Sequence, residues 1–162
     1  MRAFRLSLAF LILTGLSFAG AAKEIRWESF EAGMKKAAAG KKYVFVDVYT
    51  DWCGYCKQLE ATTMKDGPVV TELGKNFINV KLNAESDEML SWKGEKISAR
   101  NLAARWGVDG FPTMIFLNSK SDIIGSYPSF AEAPLMTKLL AYISSGARER
   151  KVSFDDYLKD AI

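Results

Sequence analysis

The sequence predicts an α/β domain: a central mixed β-sheet flanked by helices on both faces, followed by a C-terminal helical extension. Two observations carry this. Tyr43 to Tyr49 is an apolar, β-favouring run interrupted by Asp47, the pattern of a strand covered on both faces in the middle of a sheet. From that run on, the hydrophobic periodicity reads strand, helix, strand, helix, hairpin, helix. At 162 residues with 49% hydrophobic content, the chain can bury one substantial core, so a single domain is expected.

Residues 1–21 read as a secretory signal peptide, with Arg2 and Arg5 as its positive start, Leu6 to Phe18 as its apolar stretch and Ala19-Gly20-Ala21 as its cleavage site. The apolar stretch is shorter than the about 20 residues of a spanning helix, so no stable membrane insertion is expected after cleavage. Residues 22–162 then form the domain, with a core over about 43–144 and an extension at 147–162. Ser29 is a candidate N-cap for a helix through Ala39, with Phe30 and Met34 on one face. After the Tyr43–Tyr49 strand, a helix is expected from Cys53 to about Thr63, where Cys56, Leu59 and Thr63 fall at helical spacing. Asp66-Gly67-Pro68 breaks the chain, Val69 to Lys75 is a further helical piece, and Phe77 to Leu82 is a second strand. Asn83 to Lys96 is polar with Met89, Leu90 and Trp92 embedded, and its periodicity assigns it to neither class. Ser98 starts a helix through Trp106 that Gly107 ends; Thr113 to Ser126 reads as a β-hairpin, and Glu132 to Ser144 as an amphipathic helix. Ser153 caps a final helix whose first turn holds Asp155 and Asp156.

Composition excludes several function classes. Of 22 Lys and Arg against 19 Asp and Glu, Arg2 and Arg5 leave with the leader, so a nucleic-acid binder driven by charge is not expected. The absence of histidine removes His-based triads, His-ligated zinc and His-ligated haem.

Both cysteines lie in Trp52-Cys53-Gly54-Tyr55-Cys56-Lys57, directly after the apolar strand. Two thiols with two residues between them, where a strand gives way to a helix, can close a disulfide and reopen it. The alternatives are a structural disulfide in a secreted binding module, which suits an oxidising compartment, and half of a zinc site. A two-residue loop restrains little of the unfolded chain, and the further zinc ligands are missing, so metal is not expected.

The chain resembles the thioredoxin superfamily over roughly Tyr43 to Ser144. The resemblance rests on the Trp-Cys-Gly-x-Cys-Lys motif, Asp47 six residues before Cys53, the Lys81-Leu82-Asn83 strand end and the Gly110-Phe111-Pro112-Thr113 segment that opens the hairpin. It is most similar to periplasmic thioredoxin-like proteins, including the soluble C-terminal domain of the Dsb-system membrane thiol transporter. The resemblance implies the thioredoxin fold and a thiol–disulfide oxidoreductase, with no cofactor beyond the redox-active Cys53–Cys56 disulfide.

Physics gives the matched residues tasks. Cys53 at a helix N-cap has its thiolate stabilised by unpaired N–H groups and the helix dipole, which makes it the nucleophile; Cys56, one turn further on, is the resolving thiol. Asp47 is costly in an apolar strand unless paired or protonated, and the resemblance assigns it proton transfer with the buried cysteine. Lys81 matches the lysine placed beside that aspartate. Lys57 matches the basic residue after the pair, with a solvated helix surface as its equal alternative. Pro112 matches a cis-proline stacked on the cysteines. Trp52, Gly54, Tyr55, Gly110 and Phe111 would form a groove for an extended substrate, with ordinary core packing as the alternative for Trp52 and Phe111.

The resemblance further implies protein disulfide substrates, a membrane thiol donor of the Dsb type, a periplasmic monomer, and no nucleic-acid partner. Gly54-Tyr55 is the dipeptide of periplasmic disulfide isomerases, and such dipeptides tune potentials over roughly −270 to −120 mV. Those isomerases carry a separate dimerisation domain for which these residues have no room. A reductant kept reduced by a membrane donor is therefore expected, with isomerase or oxidase as alternatives. Met89, Leu90 and Trp92 are expected to form a lip at the Cys53 edge that selects the partner.

Overall fold

The structure, a computed structural model, describes residues 24–160. The expected signal peptide at residues 1–21 lies outside them. Strands β1 (Trp27–Glu28), β2 (Tyr43–Tyr49), β3 (Phe77–Asn83), β6 (Thr113–Leu117) and β7 (Ile123–Tyr127) form one sheet in the order β1-β3-β2-β6-β7. β1 and β2 run parallel to β3, whereas β6 is antiparallel to both β2 and β7. β2 is therefore central, as its apolar run requires.

Alternation along β2 divides the core. Val44, Val46 and Val48 face α1 (Phe30–Gly40) and α4 (Ala99–Arg105), while Phe45 faces α3 (Gly67–Asn76) and α5 (Ala133–Ser144). α1 crosses the sheet closely at Gly33, where a Cβ would meet the Val80 side chain at 2.5 Å. A methyl there would force α1 off the sheet. α2 (Gly54–Ala61) follows β2 and passes into a single 3₁₀ turn at Thr63–Lys65. The break expected at Asp66-Gly67-Pro68 is instead the start of α3. Asp66 accepts a bond from the Val69 amide at 3.3 Å, and Pro68 sits in the first turn, where its missing N–H removes no helical bond.

Asn83 to Lys96 holds the main difference from expectation. β4 (Met89–Trp92) and β5 (Glu95–Ser98) pair as a separate antiparallel hairpin. Leu90 and Trp92 are buried, and Trp92 packs against Phe30 and Trp106 with ring centroids 6.1 and 5.1 Å away. The expected partner-selecting lip is therefore wrong for Leu90 and Trp92. They roof the α1–α4 side of the core, and Met89 alone of the three is exposed. The pattern hid this because a four-residue strand alternating Met, Leu, Ser, Trp shows too few apolar positions to reveal its period.

The C-terminal extension is packed rather than loose. α6 (Phe154–Asp160) begins after Ser153, whose hydroxyl accepts the Asp156 amide at 3.1 Å. Phe154 and Tyr157 both flank Tyr142 of α5 with centroids 5.3 Å away, and Tyr142 donates to the Val152 carbonyl at 2.6 Å.

Trp92→Ala is expected to lower the unfolding free energy by about 3–5 kcal/mol, because it empties the roof of a packed core. Met89→Ala, on an exposed position, should change it by no more than about 0.5 kcal/mol. Urea unfolding of the two variants checks this, and equal effects would return Trp92 to the surface.

Candidate active site

β2 ends at Tyr49, and the next residues turn the chain into α2. The Thr50 carbonyl accepts the Cys53 amide at 3.2 Å, and Cys53 takes the N-cap position with extended backbone. Its Sγ accepts the Cys56 amide at 3.0 Å. A disulfide joins Cys53 and Cys56, whose Cα atoms are 5.3 Å apart. The Cys53 sulfur thus caps the helix N-terminus, where backbone amides and the dipole favour a thiolate once the bond opens. Cys53 is 3% and Cys56 8% exposed, so the pair is recessed.

Asp47 lies in the middle of β2, 4% exposed, with Oδ1 lacking any hydrogen-bond partner. Burial pushes its carboxyl up to about 6; Lys81 opposes this and Glu60 adds to it. Asp47 and Lys81 are register partners on adjacent parallel strands. Lys81, however, directs its ammonium 2.6 Å from Glu60 of α2, and it lies 5.1 and 5.6 Å from the Trp27 and Tyr49 rings. The residue expected beside Asp47 is thus drawn off by a second carboxylate.

The Phe111–Pro112 peptide bond is cis, and Pro112 is buried. Thr113, first residue of β6, pairs with Val48 of β2, which brings this loop to the sheet edge from which α2 departs. The Thr113 hydroxyl donates to the Gly110 carbonyl at 2.7 Å and holds the turn. Trp52 is 66% exposed, which removes ordinary core packing as its role. It meets Phe111 edge-on at 6.0 Å, and its Nε1 donates to the Glu85 carboxylate at 3.0 Å. Arg100 fixes that loop by donating to the Glu85 carbonyl at 2.6 Å. Tyr55, 65% exposed, leans on Phe130 at 6.3 Å. Gly54 is exposed beside them, and Lys57 is exposed on α2.

β2 thus leads into the turn and helix start that hold Trp52, Cys53, Tyr55 and Cys56; the pairing of Thr113 with Val48 brings the Phe111–Pro112 loop to that edge, and Asp47 lies further back inside the strand. Residues 30–144 match the protein-family model described as a thioredoxin-like domain. The chain belongs to the thioredoxin-like family. Among its relatives, protein disulfide isomerase-like 5-2 of Oryza sativa subsp. japonica is 36% identical over 96 residues, 59% of this chain and 19% of that protein. Thiol:disulfide interchange protein DsbD of Photorhabdus laumondii is 32% identical over 97 residues, 58% of this chain and 14% of that protein. The chain therefore spans less than a fifth of the length of either. The solution structure of a putative disulphide-isomerase from Bacteroides thetaiotaomicron superposes with a TM-score of 0.59 at 31% identity, covering 77% of this chain and 96% of that one.

Within this thioredoxin-like site, sequence reasoning missed Glu60, Glu85 and Phe130. Glu60 had a readable signal, since it follows Cys56 by one helical turn on the same face of α2. Glu85 and Phe130 had none, because tertiary structure alone brings them to the motif.

Asp47 predicts a pH dependence of stability. Its carboxyl holds a proton up to about 6 in the fold, against an ordinary value of 3.8. The folded state then binds more protons than the unfolded chain between those values, so this group's contribution falls as pH rises from about 4 to 6 and stays low above. Asp47→Asn should exceed the parent in stability at pH 8 by on the order of 2–3 kcal/mol, with the gap closing below pH 4. Urea unfolding at pH 4, 6 and 8 reads this; a gap that widens toward low pH would contradict it.

Proposed function

We propose that the protein is a thiol–disulfide oxidoreductase that works through the Cys53–Cys56 pair and reduces disulfides of exported proteins. The observation that carries this is the closed, recessed disulfide at the N-terminus of α2, at the end of the strand that buries Asp47. In the reducing direction the Cys53 thiolate attacks one substrate sulfur; the substrate S–S bond breaks, a mixed disulfide forms and the departing sulfur takes a proton. Cys56 loses its proton, with Asp47 as the buried base, and attacks the Cys53 sulfur. The second substrate sulfur then leaves as a thiol. Two electrons have passed to the substrate, and the pair is oxidised.

A dithiol donor must reopen the pair. The similarity to DsbD supports a membrane thiol donor of that type, and the leader-like start at residues 1–21 supports export to the periplasm. Among the described residues no helix is long and apolar enough to cross a membrane. Pro112, Gly110 and Phe111 supply the substrate edge, Lys81, though paired with Glu60, opposes by its charge part of the burial penalty on Asp47, and Lys57 carries a charge at the rim. Disulfide isomerisation is the second reading, favoured by the disulfide-isomerase names of several relatives and by Gly54-Tyr55 between the cysteines.

Cys53→Ser should abolish reduction of a protein disulfide, whereas Cys56→Ser should accumulate mixed disulfides visible on non-reducing gels. Equilibration of the pair with glutathione separates the readings. A potential near thioredoxin's, about −270 mV, supports the reductant, and one near −180 mV supports the isomerase. A pair that neither exchanges with glutathione nor traps partners would make the disulfide structural.

A further inference from the structure

We propose that Phe130, outside the cysteine motif, sets partner specificity: with Tyr55 it forms an apolar wall that favours polypeptides carrying a bulky apolar side chain beside the reacting cysteine. The inference rests on the oxidoreductase reading above.

The geometry starts from the recessed disulfide. Cys53 and Cys56 are 3% and 8% exposed, yet Trp52 and Tyr55 beside them are 66% and 65% exposed. Exchange requires the attacking, central and leaving sulfurs to approach a line. A partner cysteine must therefore reach down between the two rings, and its neighbours in sequence come to rest on them. Trp52 offers a mixed surface, because its indole N–H is committed to Glu85. The Tyr55 side offers ring against ring, with Phe130 at 6.3 Å.

Phe130 is presented on a fixed backbone. The Thr63 hydroxyl donates to the carbonyl of the next residue, Ala131, at 2.8 Å, and Ala131 is fully buried. α5 starts two residues later, with Pro134 in its first turn. A preorganised ring contributes contact without losing much freedom on binding. Beyond it runs a groove along the end of α2 that Phe130 itself lines and to which Gln58, Thr62, Asp66 and Glu132 contribute polar groups. An extended partner that places an apolar side chain on Tyr55 and Phe130 can hydrogen-bond its backbone there.

The selectivity acts on the first exchange step. The Cys53 thiolate displaces one sulfur of the partner disulfide, Cys56 then displaces the partner from Cys53, and the dithiol gives up two electrons. Phe130 takes no part in these transfers. It is a positioning residue whose effect falls on how the partner is held.

The test uses two cyclic disulfide peptides of equal length, one with Phe and one with Ser next to the reacting cysteine. Second-order rate constants with the reduced protein give a preference ratio. The parent protein should favour the Phe peptide by about twofold to twelvefold, the range of one aromatic contact. Phe130→Ala should bring the ratio near one, and Phe130→Trp should keep it. A ratio that survives Phe130→Ala overturns the proposal, as does a parent ratio of one. A purely structural role would slow both peptides together and leave the ratio in place, which also overturns it. If the parent reduces neither peptide, the oxidoreductase reading itself fails.

Discussion

The structure depends on tolerating one carboxyl group where the sheet is driest. Asp47 sits in the central strand, with Phe45 and Val46 before it and Val48 after it fully buried, and one of its oxygens has no partner. A charged carboxylate in such a place is strongly unfavourable, so the group keeps its proton to about 6. Lys81 is one strand away in register and could neutralise it, but the ammonium is engaged by Glu60 at 2.6 Å and by two aromatic rings. Pairing that would remove the strain is thereby spent elsewhere. The two core clusters on either side of β2 must supply the stability that Asp47 withdraws.

That arrangement complements the end of the same strand. The amides and dipole at the start of α2 favour a thiolate, while the middle of β2 disfavours a carboxylate. One segment of chain, residues 47–56, therefore places the buried carboxyl and the disulfide in a fixed relation through a strand, a turn closed by the Cys53 amide on the Thr50 carbonyl, and one helical turn. Movement of either element would alter both.

Most of this was legible because period and composition coincide. Tyr43–Tyr49 and Thr113–Leu117 begin and end where their apolar runs do, since a strand buried on both faces has no solvent-facing residue to blur its ends. Ser98 was readable as a helix start and Ser153 as a cap, and both hydroxyls accept a first-turn amide, whereas Ser29, read as a cap in the same way, holds the N-cap position with no side-chain bond. Tertiary effects were not legible. Glu95 and Lys96 look like loop residues, yet they pair with Trp92 and Ser91 across a short hairpin that exists to cover Phe30 and Trp106. Lys81 was readable as a strand lysine, but its choice of Glu60 depends on how α2 lies over β3.

The aromatic side chains show where local and global information divide. Phe30, Trp92 and Trp106 gather under the hairpin, and Tyr142, Phe154 and Tyr157 gather under the C-terminal extension. Both clusters bury surface that the central sheet leaves uncovered, so both extend the core outward. Trp52 and Tyr55 have the same chemistry and stay in solvent. Nothing in their own residue type distinguishes them; the difference is that the tight turn at Thr50–Cys53 and the start of α2 aim them away from the sheet. Burying them would require moving the helix N-terminus that holds the sulfurs. The exposure of these two rings is therefore a consequence of where the disulfide must be.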